Sequence, residues 1–329
     1  MTSRLNRGIV GWICVALFFV AVVAMPFSGT SAYTLSIGVN LLQYAVMATA
    51  WAMFSGPTRY VSLATASFYG VGVYTVAVMG EALPWPAVLL LAFVLAVLLA
   101  LVVGLATLRL SGVFFVIFTF GLAELIRQLV TWYEVNFSGA VVRYVFLDIS
   151  SAQIYWQLAA LLAVVLFTGW WTYRTRLGTA LRLIGEDEVI ASHVGINITF
   201  VKLLLFAVSS GFIAIAGAIM APRWTYIDPS VAFNMNISFL VLIMALLGGA
   251  SRLLGPLVGA VPIVLLLEVL TTRFPNHYSI LVGLVFIVIV YFIPDGLLGR
   301  FMKRKKTVVV KRRAHETANQ KAKSQEVAP

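Results

Sequence analysis

A short charged segment interrupts a chain that is otherwise strongly apolar. Glu186, Asp187 and Glu188 stand in a row, and Gly195 follows after six intervening residues. Acidic side chains favour the positive N-terminal end of a helix, and glycine can end a helix in the left-handed conformation. The spacing therefore predicts a short helix that begins at the acids and ends at Gly195. Carboxylates on such a helix can form ion pairs with basic groups of another protein.

The residues just before the acids predict a second short helix. Leu177, Leu181 and Ile184 recur at helical spacing, and arginines such as Arg182 surround them. The two helices together form a polar hairpin between two long apolar runs. The residues alone leave two interpretations open. The hairpin lies on the bilayer with its leucines buried in lipid, or it is a docking surface for a soluble partner.

Glu124, Arg127 and Glu268 also fall inside apolar runs, where charge is energetically expensive. Glu124 and Arg127 are three residues apart on one helix face, so we expect them to pair. The pair either locks two helices together or contacts a transported solute, and locking is the favoured interpretation. Glu268 has no evident partner in the sequence and can fill either role. The three histidines are widely scattered, so no metal site, catalytic group or cofactor is predicted.

The composition indicates which elements position these side chains. Of the 329 residues, 61% are apolar and 11% are charged, and the mean hydropathy is +1.00. Soluble domains carry about 25% charged residues, so the sequence predicts an all-α, polytopic membrane protein. Each run of about 20 apolar residues can cross the hydrocarbon core as a helix. We predict about ten such spans, with a range of nine to eleven, at 9–27, 35–54, 60–79, 86–107, 111–131, 153–173, 201–221, 236–250, 254–272 and 279–293.

The basic residues predict the orientation of these spans. With the N-terminus in the cytoplasm, nine basic residues before the C-terminal tail fall on the cytoplasmic side and four on the outer side. This asymmetry follows the positive-inside rule. It places both termini and the loop 174–200 in the cytoplasm. The first run also resembles a cleavable signal peptide, but we expect it to be retained because it is long and further spans follow.

The C-terminal tail differs in composition from the rest of the chain. Residues 1–299 form the predicted transmembrane domain, and 300–329 form a basic tail that we expect to be disordered. The tail holds ten of the 23 Lys and Arg residues, which accounts for most of the net charge of +11. Basic residues directly after a span are topology anchors that can contact anionic lipid. No aromatic groove accompanies them, so binding to nucleic acid is not expected.

Two apolar regions, 55–74 and 248–262, are interrupted by glycine and proline. These residues can free backbone groups to contact a polar solute, or they can let helices approach closely. The sequence leaves both interpretations open for each region.

Several segments resemble the LivM type of the branched-chain amino acid ABC permeases, and the resemblance covers most of the chain between residues 35 and 300. The hairpin and the span after it carry it as RTRLGTALRLIGEDEVIASHVGINITFVKLLLFAVSSGFIAIAGAIMAP, at 174–222. The other segments are SLATASFYGVGVYT at 62–75, LRLSGVFFVIFTFGLAELIRQLV at 108–130, LLGGASRLLGPLVGA at 246–260 and FIPDGLLG at 292–299. In one departure, Val189 stands where the family has an acid, and the acid is displaced to Glu188.

The resemblance implies the membrane subunit of an ATP-driven importer in a bacterial inner membrane. Branched-chain amino acids or another small polar solute are the implied cargo, delivered by a periplasmic binding protein. The other implied partners are cytoplasmic ABC ATPase subunits and a second, homologous permease subunit. The resemblance also implies that the ATPase receives the loop, which we expect to dock through Leu181, Arg182, Ile184, Glu186, Asp187, Glu188 and Gly195.

The chain itself is not expected to hydrolyse ATP, because it contains no phosphate-binding Gly-x-x-x-x-Gly-Lys-Ser/Thr loop. The alternative is an ion-coupled secondary transporter of a small solute. Such a transporter needs ionisable groups inside the membrane as a relay, and Glu124, Arg127 and Glu268 are the residues that qualify.

Overall fold

A computed structural model of the chain describes residues 31–292 apart from 109, 111, 140 and 141, and most of these residues are helical. The predicted first span at 9–27 and the basic tail at 300–329 lie outside the described residues. The helices are α1 (Ala32–Thr58), α2 (Thr65–Met79), α3 (Trp85–Thr107), α4 (Val113–Tyr133), α5 (Ser151–Arg174), α6 (Arg176–Glu186), α7 (Glu188–His193), α8 (Ile198–Met220), α9 (Pro229–Ala232), α10 (Met235–Gly248), α11 (Gly255–Arg273) and α12 (Tyr278–Phe292).

Short irregular elements join some of these helices. A π-helical turn at Glu134–Ser138 extends α4, and a 3₁₀ turn at Ala221–Arg223 extends α8. Two short strands, β1 (Arg143–Tyr144) and β2 (Tyr226–Ile227), pair in antiparallel fashion and connect the loops that follow these turns.

The structure confirms an all-α polytopic membrane protein. Seven helical segments of the described chain are long and apolar enough to cross a membrane. A helix is present at each of the nine spans predicted between residues 35 and 293, although α2 has only 15 residues. The predicted number of crossings, nine to eleven, stays a prediction. The seven segments are Ala32–Thr58, Trp85–Thr107, Val113–Phe137, Ser151–Arg174, Ile198–Arg223, Pro229–Gly248 and Gly255–Arg273.

Helices α1 and α8 form the centre of the bundle. In the most apolar stretch of each, 78% of the residues are buried, whereas the corresponding share for α4 is only 22%. Helix α8 packs along α2 and α3. Helices α2 and α8 approach each other closely at Gly72 of α2 and Ala214 of α8. A Cβ added to Gly72 would lie 1.8 Å from the Ala214 carbonyl oxygen, so a larger residue does not fit there. The bundle is therefore built around α1 and α8, with α4 at its periphery.

The predicted span at 60–79 begins later than expected, at Thr65, because residues 59–64 are not helical. Helix α1 ends at Thr58, and Arg59 has a φ of 61°, in the left-handed region that a non-glycine residue seldom adopts. Most of the residues in this interrupted segment are buried inside the bundle. Non-helical backbone at membrane depth is tolerated where protein surrounds it and its polar groups find partners.

Side chains from three helices supply those partners. Trp51 Nε1 donates to the Ser62 carbonyl at 2.8 Å, the Leu63 N–H donates to Thr119 Oγ1 at 3.2 Å, and Ser238 Oγ donates to the Leu63 carbonyl and accepts from the Ala66 N–H, both at 2.8 Å. Region 55–74 was predicted either to free backbone groups for a polar solute or to let helices approach closely. The structure does show backbone groups outside any helix, but the protein's own side chains satisfy them.

The other interrupted region serves close packing. Within 248–262, helices α10 and α11 meet so tightly that a Cβ on Gly259 would lie 2.0 Å from the carbonyl oxygen of Met244. The tight turn between the two helices includes Gly249, whose φ is 101°. Glycine is needed here because the backbones touch.

Candidate functional site

Helices α6 and α7 form the predicted polar hairpin. Leu181 and Ile184, on the apolar face of α6, are only 1% and 2% exposed because they pack into the chain's own bundle. A Cβ on Gly185 would lie 2.0 Å from the carbonyl oxygen of Pro57, so α6 rests directly on the end of α1. In this structure the bundle covers both side chains, which anchor the hairpin, and docking of the ATPase through Leu181 and Ile184 stays a prediction.

Arg182 also secures α6 to the bundle. Its Nε donates to the Gly178 carbonyl at 3.1 Å, and its second guanidinium nitrogen donates to the Tyr173 carbonyl at 2.9 Å. The last carbonyls of a helix lack partners within that helix, and a basic side chain can satisfy them. Arg182 thus holds α6 to the C-terminal turn of α5, although Arg182 is itself exposed.

The outer surface of the hairpin is apolar and acidic. Val189, Ile190 and Val194 are 64%, 57% and 67% exposed, and Glu186 and Asp187 are exposed beside them. Asp187 also caps α7, since its Oδ1 accepts from the N–H groups of residues 189 and 190 at 2.8 and 3.2 Å. The exposed surface available to a partner therefore combines three aliphatic side chains with two carboxylates.

Gly195 ends α7 as its position predicted. Its φ is 84°, in the left-handed region, and its N–H donates to the Ser192 carbonyl at 2.9 Å. The next N–H, from Ile196, donates to the Ala191 carbonyl at 3.2 Å. Helix α8 begins at Ile198, so this turn sets the direction in which the hairpin continues into the central helix.

Glu188 does not face outward with the other two acids. Lys202 Nζ, on a residue that is 1% exposed, lies 2.5 Å from Glu188 Oε1. The Tyr60 hydroxyl donates to the same carboxylate oxygen at 2.6 Å and accepts from Lys202 Nζ at 2.9 Å. The Tyr60 hydroxyl thus bridges the carboxylate and the ammonium group.

This cluster of Tyr60, Glu188 and Lys202 joins three parts of the chain. Tyr60 belongs to the interrupted segment 59–64, Glu188 to α7 and Lys202 to the first turns of α8. The ammonium group also lies 4.0 Å from the centre of the Tyr60 ring, a cation–π contact. Neither Tyr60 nor Lys202 was a predicted site residue. A lysine inside an apolar run was the signal that pointed to Lys202.

Glu124 and Arg127 pair on α4 as predicted. Arg127 Nε donates to both carboxylate oxygens, at 3.2 and 3.0 Å, and Gln128 donates to Oε1 at 3.0 Å. Among the described residues, the hydrogen-bond and ion-pair partners of this pair all lie on α4. The pair therefore does not lock α4 to a second described helix, which was the favoured interpretation. The two side chains are 43% and 32% exposed on the periphery of the bundle.

Glu268 lines a cavity of about 500 Å³ in the half of the bundle away from the hairpin. Its wall is formed by α1, α2, α9, α10, α11, the end of α8 and the 3₁₀ turn that follows it. The polar members of the lining are Asn40, Gln43, Tyr44, Tyr69, Arg223, Trp224, Asn234, Asn236, Glu268 and Thr271, and the apolar members are Met220, Val231, Ile237, Leu240, Val264 and Leu267. This volume lies within the range of small-molecule sites, about 300–1,000 Å³.

Arg223 is held in the cavity wall by α1. Its two terminal nitrogens donate to Asn40 Oδ1 at 3.0 Å and to Ser36 Oγ at 2.8 Å. Nearby, Gln43 Nε2 donates to the buried Tyr69 hydroxyl at 3.0 Å. The sequence interpretation counted Arg223 only among the four basic residues on the outer side, and it missed that Arg223 and Glu268 line one cavity because 45 residues separate them along the chain.

Comparison with known proteins is consistent with this architecture. The family model for the branched-chain amino acid transport system permease component matches residues 33–290. The chain is 28% identical to the LivM permease protein of a high-affinity branched-chain amino acid transport system from Salmonella typhimurium, covering 86% of this chain and 73% of that protein. The LivM protein of Escherichia coli is 27% identical, with coverage of 86% and 74%. The Escherichia coli LivH permease is 27% identical over 53% of each chain.

These relatives decide between the two transporter classes. The family consists of the membrane components of ABC importers, in which a separate subunit hydrolyses ATP. The chain is a transport subunit and not an enzyme, and the ion-coupled alternative is not supported. With the match extending over 258 of its 329 residues, this chain belongs to the family of branched-chain amino acid transport permease components.

Proposed function

We propose that this chain carries branched-chain amino acids, or a closely related small polar solute, across the inner membrane of a bacterium. The LivM relatives support this cargo, since both belong by name to branched-chain amino acid transport systems. In the proposed complex, a periplasmic binding protein delivers the solute. Cytoplasmic ATPase subunits supply the energy, and a second permease subunit completes the membrane part.

The hairpin of α6 and α7 is the proposed docking site for the ATPase. Its exposed aliphatic residues Val189, Ile190 and Val194 stand beside the carboxylates of Glu186 and Asp187. Exposed apolar side chains with a polar rim are typical of protein interfaces. In this proposal the loop 174–200 and both chain termini lie in the cytoplasm, in line with the excess of basic residues on that side.

One observation carries this proposal, namely the cluster of Tyr60, Glu188 and Lys202. It connects the hairpin to the central helix α8 and to the interrupted segment 59–64. A displacement of α7 by the ATPase is passed through these contacts to both elements. Leu181, Ile184 and Arg182 hold α6 to the ends of α1 and α5, so the hairpin moves together with the bundle rather than independently of it.

The exposed face of α4 is the surface we propose for the second permease subunit. A half-exposed ion pair within a span is costly in lipid, and Glu124 with Arg127 forms such a pair. The apolar side chains around it, such as Leu125 and Leu129, are 53% and 55% exposed. A partner that covers this face shields both charges from lipid. The partial similarity of the chain to LivH permeases supports a homologous partner.

The proposal is tested by reconstituting the chain in liposomes with its candidate ATPase, second permease and binding protein. We expect leucine uptake that requires ATP. Val194→Glu places a charge in the apolar docking surface and should abolish both ATPase association and uptake. Leu83→Glu is the matched control, because Leu83 is 39% exposed in the turn between α2 and α3, remote from the hairpin. Full association and uptake with Val194→Glu contradicts docking, and uptake by the chain alone under an ion gradient contradicts ATP coupling.

A further inference from the structure

Arg223 and Glu268 place opposite charges on the wall of one cavity without pairing. Among the described residues, neither side chain takes part in an ion pair. The hydrogen-bond partners of the Arg223 guanidinium are the neutral groups of Asn40 and Ser36. Near the Glu268 carboxylate lies the neutral hydroxyl of Tyr33. The cavity thus presents one cation and one anion, each held by neutral neighbours.

Unpaired charges of both signs inside a membrane bundle require an explanation. A charge within a span is energetically costly, and mutual pairing is the usual way to reduce that cost. Side chains that pair with each other, such as Glu124 and Arg127, leave no uncompensated charge for a ligand to bind. Here the two charges remain separate and half-buried on different elements, the turn after α8 and helix α11. A ligand that carries both charges can neutralise both groups at once.

The rest of the lining limits the chemistry of such a ligand. Arginine binds a carboxylate well because its planar guanidinium matches the two oxygens. A carboxylate such as Glu268 is the complementary partner for an ammonium group. The aliphatic side chains of Ile237, Leu240 and Val264 line the same space and favour an apolar substituent. The side-chain amides of residues 40, 43, 234 and 236 can satisfy the remaining polar atoms.

We propose that this cavity is a binding site for a zwitterionic, aliphatic α-amino acid, with Arg223 binding the carboxylate and Glu268 the ammonium group. The inference rests on the proposed function and extends it, since it assigns selectivity for the charged backbone of the amino acid to the membrane subunit. The site lies away from the hairpin, at what is the periplasmic end of the bundle in the proposed orientation. Along α1, about 21 Å of helix separates Gln43 in the cavity wall from Pro57 beside the hairpin.

The test compares three ligands that differ by one charge each. L-Leucine carries both groups, leucinamide lacks the carboxylate, and 4-methylpentanoate lacks the ammonium. Each is titrated calorimetrically at neutral pH into the assembled permease–ATPase complex in lipid nanodiscs, without the binding protein. A hydrogen-bonded charge contact contributes about 1.5–3 kcal/mol, so each analogue should bind about 10- to 100-fold more weakly than leucine.

Variants then assign each charge to its partner. Arg223→Gln should remove the preference for leucine over leucinamide and keep the preference over 4-methylpentanoate. Glu268→Gln should do the reverse. Arg223→Lys and Glu268→Asp retain the charges and should retain both preferences, which a role limited to helix packing does not predict. Arg273→Gln and Glu81→Gln are matched controls, because both residues are exposed and neither lines the cavity.

The proposal is overturned if wild-type complex does not bind leucine, or if the Gln variants keep both wild-type preferences. Uptake measured in parallel separates this failure from that of the proposed function. If leucine uptake is driven by ATP but both Gln variants keep the wild-type ligand preferences, the proposed binding site is rejected and the proposed function stands. If the variants show the predicted ligand preferences but no ATP-driven uptake is found, the binding site is supported and the proposed function is rejected.

Discussion

Lys202 Nζ lies 2.5 Å from Glu188 Oε1, and this contact links the first turns of the central helix α8 to the hairpin that stands outside the bundle. Lys202 is 1% exposed, while the Glu188 side chain is 38% exposed. The lysine therefore depends on this carboxylate and on Tyr60 for its polar contacts. The hairpin is consequently part of the bundle's hydrogen-bonded structure as well as a surface for a partner.

Removing Glu188 should destabilise the protein more than removing both charges. In Glu188→Gln the buried ammonium of Lys202 loses its counterion, and we expect a loss of about 1–3 kcal/mol, because exposure of the carboxylate reduces its contribution. In Glu188→Gln combined with Lys202→Met the buried charge is gone, so part of the stability should return. Thermal unfolding in nanodiscs measures both. A double variant that is less stable than Glu188→Gln contradicts this account.

The same cluster should matter for coupling. Tyr60→Phe keeps the ring beside Lys202 but removes the hydroxyl that donates to Glu188. We expect ATP hydrolysis by the complex to continue while leucine transported per ATP falls. Tyr226→Phe is the control, since this hydroxyl is on a 56% exposed residue in β2, far from the hairpin. An unchanged transport-to-hydrolysis ratio in Tyr60→Phe contradicts a coupling role.

Gly195 should tolerate only residues that adopt a positive φ. At its φ of 84°, a β-branched side chain is strained by about 1–3 kcal/mol. Gly195→Val is therefore expected to redirect the turn into α8 and to uncouple ATP hydrolysis from uptake. Asparagine accepts the left-handed conformation more readily, so Gly195→Asn should retain most of the coupling. No Cβ clash is present at this position, which leaves the backbone conformation as the cause. Equal coupling of ATP hydrolysis to leucine uptake in the Val and Asn variants contradicts this role of the backbone conformation.

Ser238 should be important for stability although it is a small residue. Its hydroxyl bridges the Leu63 carbonyl and the Ala66 N–H, and Ser238→Ala leaves both buried groups without this partner. The expected loss is about 1–3 kcal/mol. Thr168→Ala is the control, since the Thr168 hydroxyl donates only to the Val164 carbonyl on the exposed side of α5. Thermal unfolding should distinguish the two, and an equal effect contradicts the structural role of Ser238.

The face of α4 around Glu124 should lie against protein. A photo-crosslinking amino acid at Leu125 or Leu129 is expected to form a covalent product with the second permease subunit in the assembled complex. The control positions are Leu90 and Leu98 on α3, which are comparably exposed, at 64% and 54%, and should react with lipid. Lipid adducts alone from Leu125 and Leu129 contradict an interface on α4.

Local patterns predicted the hairpin well. The acids, the spacing of Leu181 and Ile184, and Gly195 indicated two short helices with a glycine end, because caps and turns depend on neighbouring residues. Glu186 ends the first helix, however, and only Asp187 and Glu188 open the second. The pattern also identified an apolar face but gave no information about which surface covers it. The covering surface proved to be the chain's own bundle.

Local sequence patterns could not predict contacts between residues that are far apart in the sequence. Tyr60 and Glu188 are 128 residues apart, and Ser238 is 172 residues from Ala66. Only the packing of α1, α8 and α10 brings these groups together. The same holds for the cavity, where Glu268 was a candidate in isolation and only the fold places Arg223 in the same cavity wall.

The brevity of α2 has a consequence for how the chain enters the bilayer during synthesis. With 15 residues it extends about 22 Å, short of the hydrocarbon core of about 30 Å. The non-helical residues before it carry polar backbone that lipid cannot solvate, and their hydrogen-bonding partners Thr119 and Ser238 emerge from the ribosome later. We therefore expect α2 to leave the translocon only after downstream helices have been made, so that this part of the chain matures as a late step of biogenesis.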